Sequence, residues 1–487
     1  YKKIGMRIGI ATGDLDKSDG WLGSCDVNIL SNEKMDSLLR HKVPWTKEIS
    51  LIIADEVHVI GDATRGPTLE IVLTQLAAMT KSQIIALSAT IENADEIAAW
   101  LKAEIVKSDY RPVKLYKGVM YSDDDDYVVE VEGKKKYGIK SKLDNEIAAC
   151  IDTVQKEKQS LVFVSTRRSA EACAEKVSLE MRKILKTEDK ELLKTLAKKI
   201  ESVLGSPTKQ CKRLARSVEG GAAFHHAGLV AKQRELVESA FRSGLLKTIA
   251  ATPTLAFGMN LPAYRVVIRD TKRFSSGYGS SYLPVMEVNQ MMGRAGRPKY
   301  DKEGEALLLA KSKQDAKSLW ERYINGESEQ VYSKLGIESI LRTHVLALIS
   351  SEVVKNKTEL RAFFQKTFFA HQYGDIDSLE AKIERILKEL ESFKFIIIGT
   401  KNDFISKEFV PAFQLTNEID LKSTRIGKRV SELYIDPVSA NFLLTVMSEE
   451  DNSVHNLMMI CQCEEMFPTL SVKKNEYEDL ENAIAIH

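Results

Sequence analysis

The chain has 487 residues, 44% of them hydrophobic and 29% charged, and its 70 Lys and Arg are balanced by 69 Asp and Glu. That is ordinary globular composition with room for roughly three domains. A net charge of +1 excludes a molecule that is basic all over, so any nucleic-acid contact has to come from a local basic groove.

The first third alternates short apolar runs with helical stretches, the pattern of a parallel α/β sheet. Met6 to Ile10 reads as a strand running into Thr12-Gly13-Asp14. Val27 to Leu30 reads as another, followed by Ser31-Asn32-Glu33-Lys34 and a helix through Leu39. Ile49 to Ala54 is a buried strand ending in Asp55-Glu56-Val57-His58. Carboxylates at the carboxyl end of a central strand stand where open α/β sheets bind ligands. An adjacent pair there can divide two tasks, Asp55 holding Mg²⁺ through its water shell and Glu56 orienting and deprotonating an attacking water. The plain alternative is an acidic strand end that caps the next helix. The next strand, Ile84 to Leu87, ends in Ser88-Ala89-Thr90, whose hydroxyls can bond the acidic pair. From Tyr110 to Leu143 the periodicity fails, and a surface hairpin or linker is expected there. Asp123 to Asp126 would be a solvated acidic loop and Lys134 to Lys136 a basic one.

A second α/β unit follows, with strands at Leu161 to Val164, Ala222 to Phe224, Thr248 to Ala251, Arg265 to Ile268 and Ala306 to Leu309. The first three end in polar residues suited to phosphate contacts: Ser165-Thr166-Arg167-Arg168, His225-His226-Ala227-Gly228 and Thr252-Pro253-Thr254. The charged segment from Met181 to Leu204 reads as a solvated helical insertion. In Gln290-Met291-Met292-Gly293-Arg294-Ala295-Gly296-Arg297, two arginines three apart share one side of a helical turn. The small residues beside them let a second surface approach, and the guanidinium fork suits phosphate oxygens. Arg294 and Arg297 are therefore expected to reach a polyphosphate held by another surface; the plain alternative is a solvated basic turn. After Pro298, Ile337 to Ile349 and Leu379 to Leu390 are amphipathic helices. Phe393 to Ile398 and Phe404-Ile405 read as a hairpin around Gly399 to Asp403, so the module reads as a winged helix. Helices resume at Ser439 to Met447 and Val454 to Met466.

Taken in order, five stretches resemble the motor of superfamily 2 DExH helicases: Asp55 to His58, Ser88 to Thr90, Phe224 to Leu229, Thr252 to Pro262 and Gln290 to Arg297. The Thr254-Leu255-Ala256 to Asn260-Leu261-Pro262 wording resembles the Ski-like branch, and within it the archaeal DNA-repair helicases related to HELQ. Leu38-Leu39-Arg40, Val267-Ile268-Arg269-Asp270 and Arg429 to Pro437 support that branch. The resemblance covers essentially the whole chain. It implies an α/β fold of two RecA-like domains, residues 1–115 (incomplete) and 116–320, then a winged helix at 321–412. The start of an all-helical, ratchet-type domain would occupy 413–487.

The same resemblance implies a 3′-to-5′ ATP-dependent DNA helicase with ATP and Mg²⁺ as cofactors, acting on single-stranded and forked DNA in replication-fork repair. Asp55 would be the metal residue and Glu56 the water-activating one. Gln290, Arg294 and Arg297 would cross between the RecA-like domains, one arginine stabilising charge on the γ-phosphate. His58, Gly258 and Asn260 would lie near the nucleotide. Thr12, Gly13, Lys34, Arg167, His226, Thr252 and Thr254 would grip one DNA strand by its backbone. A strand-splitting hairpin would span Asp270 to Pro284, with Arg273, Phe274, Tyr278 and Tyr282. A monomer, possible contacts with replication and repair proteins, and a nucleoid (archaeal) or nuclear (eukaryotic) setting complete the expectation. No apolar run approaches about 18 residues, so no membrane span is expected. The six cysteines include no Cys-x-x-Cys pair, which fits reduced thiols in a reducing interior.

Two departures stand out. The family's Gly-x-x-x-x-Gly-Lys-[Ser/Thr] phosphate loop is absent: Gly-Lys occurs only at Gly133-Lys134 and Gly427-Lys428, followed by Lys135 and Arg429. With Tyr1 inside a strand pattern, the chain reads as a piece of a longer protein that binds ATP poorly alone. Ser31-Asn32 also stands where the family has Thr with Ser or Pro. Rival readings are a Ski-like RNA helicase and an ATP-independent nucleic-acid-binding scaffold.

Overall fold

The computed structural model describes the chain except residues 1, 14–18, 109, 125, 254, 256–260, 276–278, 299, 375, 401–418, 448–452, 468–471, 473–475 and 487. It divides into two compact units, one formed by residues 1–88, 93–105 and 331–487, the other by 89–92 and 106–330.

In the first unit, β1 (Ile8–Ala11) pairs in parallel with β2 (Val27–Leu30), Ile8 opposite Val27. Helix α1 (Asn32–Arg40) follows, its first turn capped by the Ser31 side chain, which accepts from the Lys34 amide. Strand β3 (Leu51–Ala54), helix α2 (Gly66–Met79) and strand β4 (Gln83–Ala86) form a β–α–β crossover, with β3 and β4 parallel and Leu51 opposite Gln83. Met35 and Leu39 of α1 pack on Val72 and Leu76 of α2, with Ile52 of β3 beneath them. Burying each such side chain contributes about 1.5–3 kcal/mol. Helix α3 (Ala94–Leu101) completes the amino-terminal part.

The second unit is built on an eight-stranded sheet. Its strands are β5 (Lys114–Asp123), β6 (Asp126–Val131), β7 (Tyr137–Ile139), β8 (Ser160–Phe163), β9 (Ala222–His225), β10 (Thr248–Ala251), β11 (Arg265–Ile268) and β14 (Glu303–Leu309). The order is β7-β6-β5-β14-β11-β8-β10-β9. From β5 to β9 every pairing is parallel, and β14, β11, β8, β10 and the edge strand β9 are covered on both faces. Helices α4 (Asn145–Gln155), α5 (Arg167–Met181), α6 (Thr187–Glu201), α7 (Lys209–Glu219) and α8 (Ala231–Arg242) make the crossovers. A separate antiparallel hairpin, β12 (Lys272–Ser275) with β13 (Gly279–Tyr282), precedes α9 (Val285–Met292). Helix α10 (Lys313–Leu319) follows β14.

One expectation is narrowed here, from hairpin or linker to hairpin, and another is overturned. The aperiodic stretch from 110 to 143 is a hairpin extension of this sheet, with Asp123 and Asp126 at its turn. The segment from 181 to 204 is no solvated insertion, because α6 buries Leu193, Ala197 and Ile200 in the core of the unit.

The rest of the chain returns to the first unit with α11 (Glu338–Ser350), α12 (Lys357–Phe364), α13 (Phe368–Tyr373) and α14 (Ile376–Ser392). Strand β15 (Ile396–Thr400) then pairs antiparallel with β16 (Ile419–Ser423). The hairpin partner is therefore 419–423, past the expected boundary at 412; Phe404-Ile405 lies outside the described residues. Apolar side chains of α11 and α14, among them Val345, Leu348, Ile386 and Leu390, pack with Phe395, Ile396 and Leu421 in one core. Helices α15 (Arg425–Glu432), α16 (Pro437–Val446), α17 (Ser453–Ile460) and α18 (Tyr477–Ile486) end the described chain.

Candidate ATP and nucleic-acid sites

At the carboxyl tip of β3 the chain turns sharply. Glu56 has φ 54°, a left-handed conformation unusual for a residue with a Cβ. Its amide donates to Asp55 Oδ1 (2.9 Å), and the Val57 amide donates to the Leu87 carbonyl (2.8 Å) at the end of β4. That bond locks the two strand tips together. His58 is buried, with Nε2 3.5 Å from Glu56 Oε2 and Nδ1 3.4 Å from Ser88 Oγ. Burial holds the imidazole below its ordinary pKa, with the nearby Asp55 charge pulling the other way. The structure thus brings Asp55, Glu56, His58 and Ser88 to one edge.

Asp55 is exposed there. Among the described residues no cluster of three or more His, Cys, Asp and Glu could hold a metal ion. Mg²⁺ suits a site of that kind, because it is usually held by one or two carboxylates together with substrate phosphates and water. Gly133-Lys134 lies in the turn after β6, where Lys134 pairs with Glu303 (2.8 Å), and Gly427-Lys428 lies within α15. Neither forms a strand-to-helix phosphate loop.

In the second unit the parallel register puts the ends of β8, β10 and β9 on one edge, Phe163 level with Ala251 and Ala251 with His225. Thr166 caps α5 by accepting from the Ser169 amide, which leaves Arg167 and Arg168 exposed in its first turn. Asp270 accepts from the Ser165 amide (2.8 Å) and hydroxyl (3.1 Å). Burial disfavours its charge, but Arg269 and these donors outweigh that and hold it below the usual carboxylate range. Thr252 is buried at the tip of β10. Thr12 and Gly13 are exposed at the tip of β1 in the first unit. Thr254, Gly258, Asn260 and Tyr278 lie outside the described residues.

Two expected DNA contacts do not face outward. His226 is 1% exposed; it stacks on Phe224 (centroids 5.4 Å apart), its Nδ1 accepts from the Gly228 amide (3.2 Å), and its Nε2 lies 3.3 Å from Glu171. It shapes the Ala227-Gly228 turn, where a Cβ on Gly228 would come 3.6 Å from Arg167 Nη1. Lys34 is likewise 1% exposed, its ammonium 2.7 Å from Asp19. An ammonium buried beside a carboxylate is already partnered and does not project toward a phosphate.

The Arg294–Arg297 turn follows α9, with Gln290 half-buried in its last turn. Gly296 has φ 92°, and a Cβ there would meet Val113 Cγ1 at 2.5 Å, so only glycine fits. The Gly296 amide donates to the Ala263 carbonyl, and the Ala263 amide to the Arg294 carbonyl (3.0 Å). Arg111, which the sequence did not single out, clamps the turn by donating to the carbonyls of Gly293 (2.7 Å) and Ala295 (3.1 Å). The two arginines differ. Arg297 is held by Asp301, Nε to Oδ2 at 2.7 Å and Nη2 to Oδ1 at 3.1 Å, and also donates to Gln159. Arg294 is half-buried in the turn itself. Arg297 thus anchors the turn within its own unit, a role the spacing did not reveal.

On the β12–β13 hairpin Phe274 stands opposite Ser280 and is 77% exposed. Arg273 is partly withdrawn, paired with Glu287 of α9. Tyr282 is sandwiched by Lys272 (4.3 Å) and Arg322 (4.6 Å), which fixes the base of the hairpin.

Two RecA-like units with an acidic pair and hydroxyls at one strand edge, a paired-arginine turn and a winged helix define a superfamily 2 helicase. The chain matches the DEAD/DEAH box helicase family over residues 1–97, the helicase conserved C-terminal domain over 140–299 and a helix-turn-helix domain over 304–397. It is 39% identical over 485 residues to the ATP-dependent DNA helicase Hel308 of Pyrococcus horikoshii, covering 99% of this chain and 63% of the relative. It is 41% identical over 440 residues to that of Methanocella arvoryzae (90% and 56%) and 36% identical over 510 residues to that of Methanococcus vannielii (99% and 67%). The chain belongs to the Hel308 family. It spans about 63% of the length of the Pyrococcus relatives.

Proposed function

We propose that this chain is the greater part of the motor of an ATP-dependent 3′-to-5′ DNA helicase that acts on forked or single-stranded-tailed DNA in replication-fork repair. The observation that carries the reading is the Glu56–His58–Ser88 chain at the joined tips of β3 and β4. Glu56 orients and deprotonates the water that attacks ATP. His58, kept neutral by burial, links that carboxylate to the Ser88 hydroxyl, so the state of the hydrolytic edge is passed to the next strand tip. Asp55 would hold Mg²⁺, which when bound neutralises phosphate charge. Arg294 serves as the arginine finger. Arg297 reaches phosphate only by releasing Asp301, and otherwise fixes the turn; Gln290 stands beside them. Gly258 and Asn260, outside the described residues, are assigned to nucleotide contact by the family resemblance alone. Thr12, Gly13, Arg167, Thr252 and Thr254 hold the backbone of one strand without reading sequence, and Phe274 and Tyr278 stack at the fork.

The test is ATP hydrolysis by the full-length protein and its Glu56→Gln variant, with single-stranded DNA or RNA of the same sequence. The variant should keep its DNA affinity while hydrolysis falls at least a hundredfold. Undiminished hydrolysis removes Glu56 from the mechanism, and stimulation by RNA but not DNA moves the assignment to an RNA helicase.

A further inference from the structure

We infer that the α6–α7 pair of the second unit carries a second nucleic-acid surface, a basic ridge that extends the strand-tip site along the phosphate backbone of the bound strand. The inference rests on the reading above that this edge holds DNA.

The direction of the two helices places the ridge. Helix α6 starts at the amino edge of the sheet, where Asp189 meets Lys247 (3.1 Å), the residue preceding β10. It therefore ends near the carboxyl edge. Helix α7 runs back and feeds β9 through Gly220 and Gly221, so its first turn is at the carboxyl edge as well. Side chains confirm the adjacency. Gln210 in that first turn donates to Glu171 Oε1 (2.9 Å), and the same Glu171 oxygen lies 3.3 Å from His226 Nε2. The first turn of α7 is thus one carboxylate away from the His226–Gly228 turn and its neighbour Arg167.

The charge on this connection is one-sided. From Lys198 to Arg216 the bases are Lys198, Lys199, Lys209, Lys212, Arg213 and Arg216, and the one acid is Glu201. Arg213 is spent on Glu171 and Glu175. The other five are exposed. Lys209, Lys212 and Arg216 follow at three- and four-residue steps and so form one stripe along the outer side of α7. That stripe spans about 10 Å. The inner side, with Cys211, Leu214, Ala215 and Val218, is buried.

The stripe reaches Arg216 in the last turn of α7, and beyond it the opposite end of the pair is neutralised: Arg182 pairs with Glu219, Lys183 with Glu180 and Lys186 with Glu157. An evenly solvated helical pair would neutralise both ends alike. In a chain with a net charge of +1, five exposed cations against the single acid Glu201 of the segment form the local basic surface that nucleic-acid binding requires. Flexible ammonium groups without a planar or aromatic partner suit backbone phosphate rather than bases.

The experiment compares this 487-residue chain with Lys209→Gln/Lys212→Gln/Arg216→Gln and with a control of equal charge loss, Lys183→Gln/Lys186→Gln/Lys190→Gln. Fluorescence anisotropy with a single-stranded oligonucleotide is followed from about 50 to 300 mM salt. Each lost phosphate contact lowers the salt slope by about 0.7 on a single strand. The ridge variant should lose about 2 units of slope and bind at least severalfold more weakly at physiological salt, while the control keeps both. Equal slopes for the ridge variant and the parent overturn the ridge while leaving DNA binding intact. A control as damaged as the ridge variant also overturns it, since net charge would then explain the loss. If the parent does not bind DNA, the functional reading fails and the ridge falls with it.

Discussion

Glu70 offers a sharp test of how the first unit is held together. It lies in α2 with no exposure to solvent. Its Oε2 accepts from the Ser333 hydroxyl (2.6 Å) and its Oε1 from the Phe369 amide (2.7 Å), so a helix of the α/β part is tied to segments near α13. Burial pushes its pKa up from 4.5 to about 7, against the pull of Ser333 and the Phe369 and Phe368 amides toward the charged form. An acid whose folded pKa is raised stabilises the fold fully below its unfolded value, near 4.5, and loses that contribution as pH rises through about 7. At about 1.36 kcal/mol per pH unit, the rise from 4.5 to about 7 amounts to about 3 kcal/mol, lost between about pH 4.5 and 8.

Glu70→Gln mimics the protonated acid in shape and removes the titration. We expect its stability to lie within about 1 kcal/mol of the parent at pH 5 and to exceed it by about 3 kcal/mol at pH 8. Trp100 reports the region directly, since its ring lies 5.3 Å from that of Phe368 and its Nε1 donates to the Lys366 carbonyl (2.9 Å). With Trp21, Trp45 and Trp320 replaced by Phe, guanidinium unfolding followed by Trp100 fluorescence at pH 5, 6, 7 and 8 isolates this unit. Only the difference between parent and variant is interpreted, because other groups titrate in both. Parallel pH profiles for the two proteins would refute the reasoning. So would a variant weaker at every pH, which would mean that the amide cannot replace the acid's hydrogen bonds.

Two further outcomes follow from the second unit. Arg265 is fully buried and donates to Glu305 (2.8 Å), Asp152 (2.7 Å), the Thr153 hydroxyl (2.9 Å) and the Ala149 carbonyl (3.0 Å). Arg265→Met leaves Glu305 buried without its main cation and should cost about 3–5 kcal/mol by thermal unfolding; adding Glu305→Gln should restore part of that loss, and no restoration would mean the guanidinium acts through packing alone. Phe274→Ala should slow unwinding of a forked duplex roughly 5- to 100-fold, as expected from about 1–3 kcal/mol of lost base stacking, while single-strand-stimulated ATP hydrolysis is retained; an equal fall in both rates would remove Phe274 from strand separation.

The sequence made the buried parallel strands legible because strands covered on both faces read as uninterrupted apolar runs. Thr248–Ala251 and Arg265–Ile268, buried along their whole length, are found at their expected bounds. The β5–β7 extension carried no such run: β5 mixes Lys114, Lys117 and Asp123 with its apolar residues, and its parallel partner β14 is distant in sequence. Helix α6 is obscured for a different reason: Leu193, Ala197 and Ile200 have helical spacing, but the charges around them mask that stripe.

At the sites, residue type was legible and direction was not. His226 and Arg167 both sit at strand tips and both suit a phosphate, yet Phe224 and Glu171 turn the histidine inward while the cap by Thr166 leaves the arginine outside. The Gln290–Arg297 stretch poses the same problem more sharply, because its spacing treats the two arginines as equivalents. Asp301 and Gln159 break that equivalence, and Asp301 lies only four residues beyond Arg297. Burial disfavours the Asp301 charge, but Arg297 and Lys158 outweigh it and hold the carboxyl below its usual range. The Arg297 anchor is therefore an ionised, hydrogen-bonded pair, and moving it onto a phosphate exchanges one set of charged contacts for another. What makes Arg297 the anchor of this turn thus resides in its neighbours Asp301 and Gln159 and not in the spacing of the two arginines.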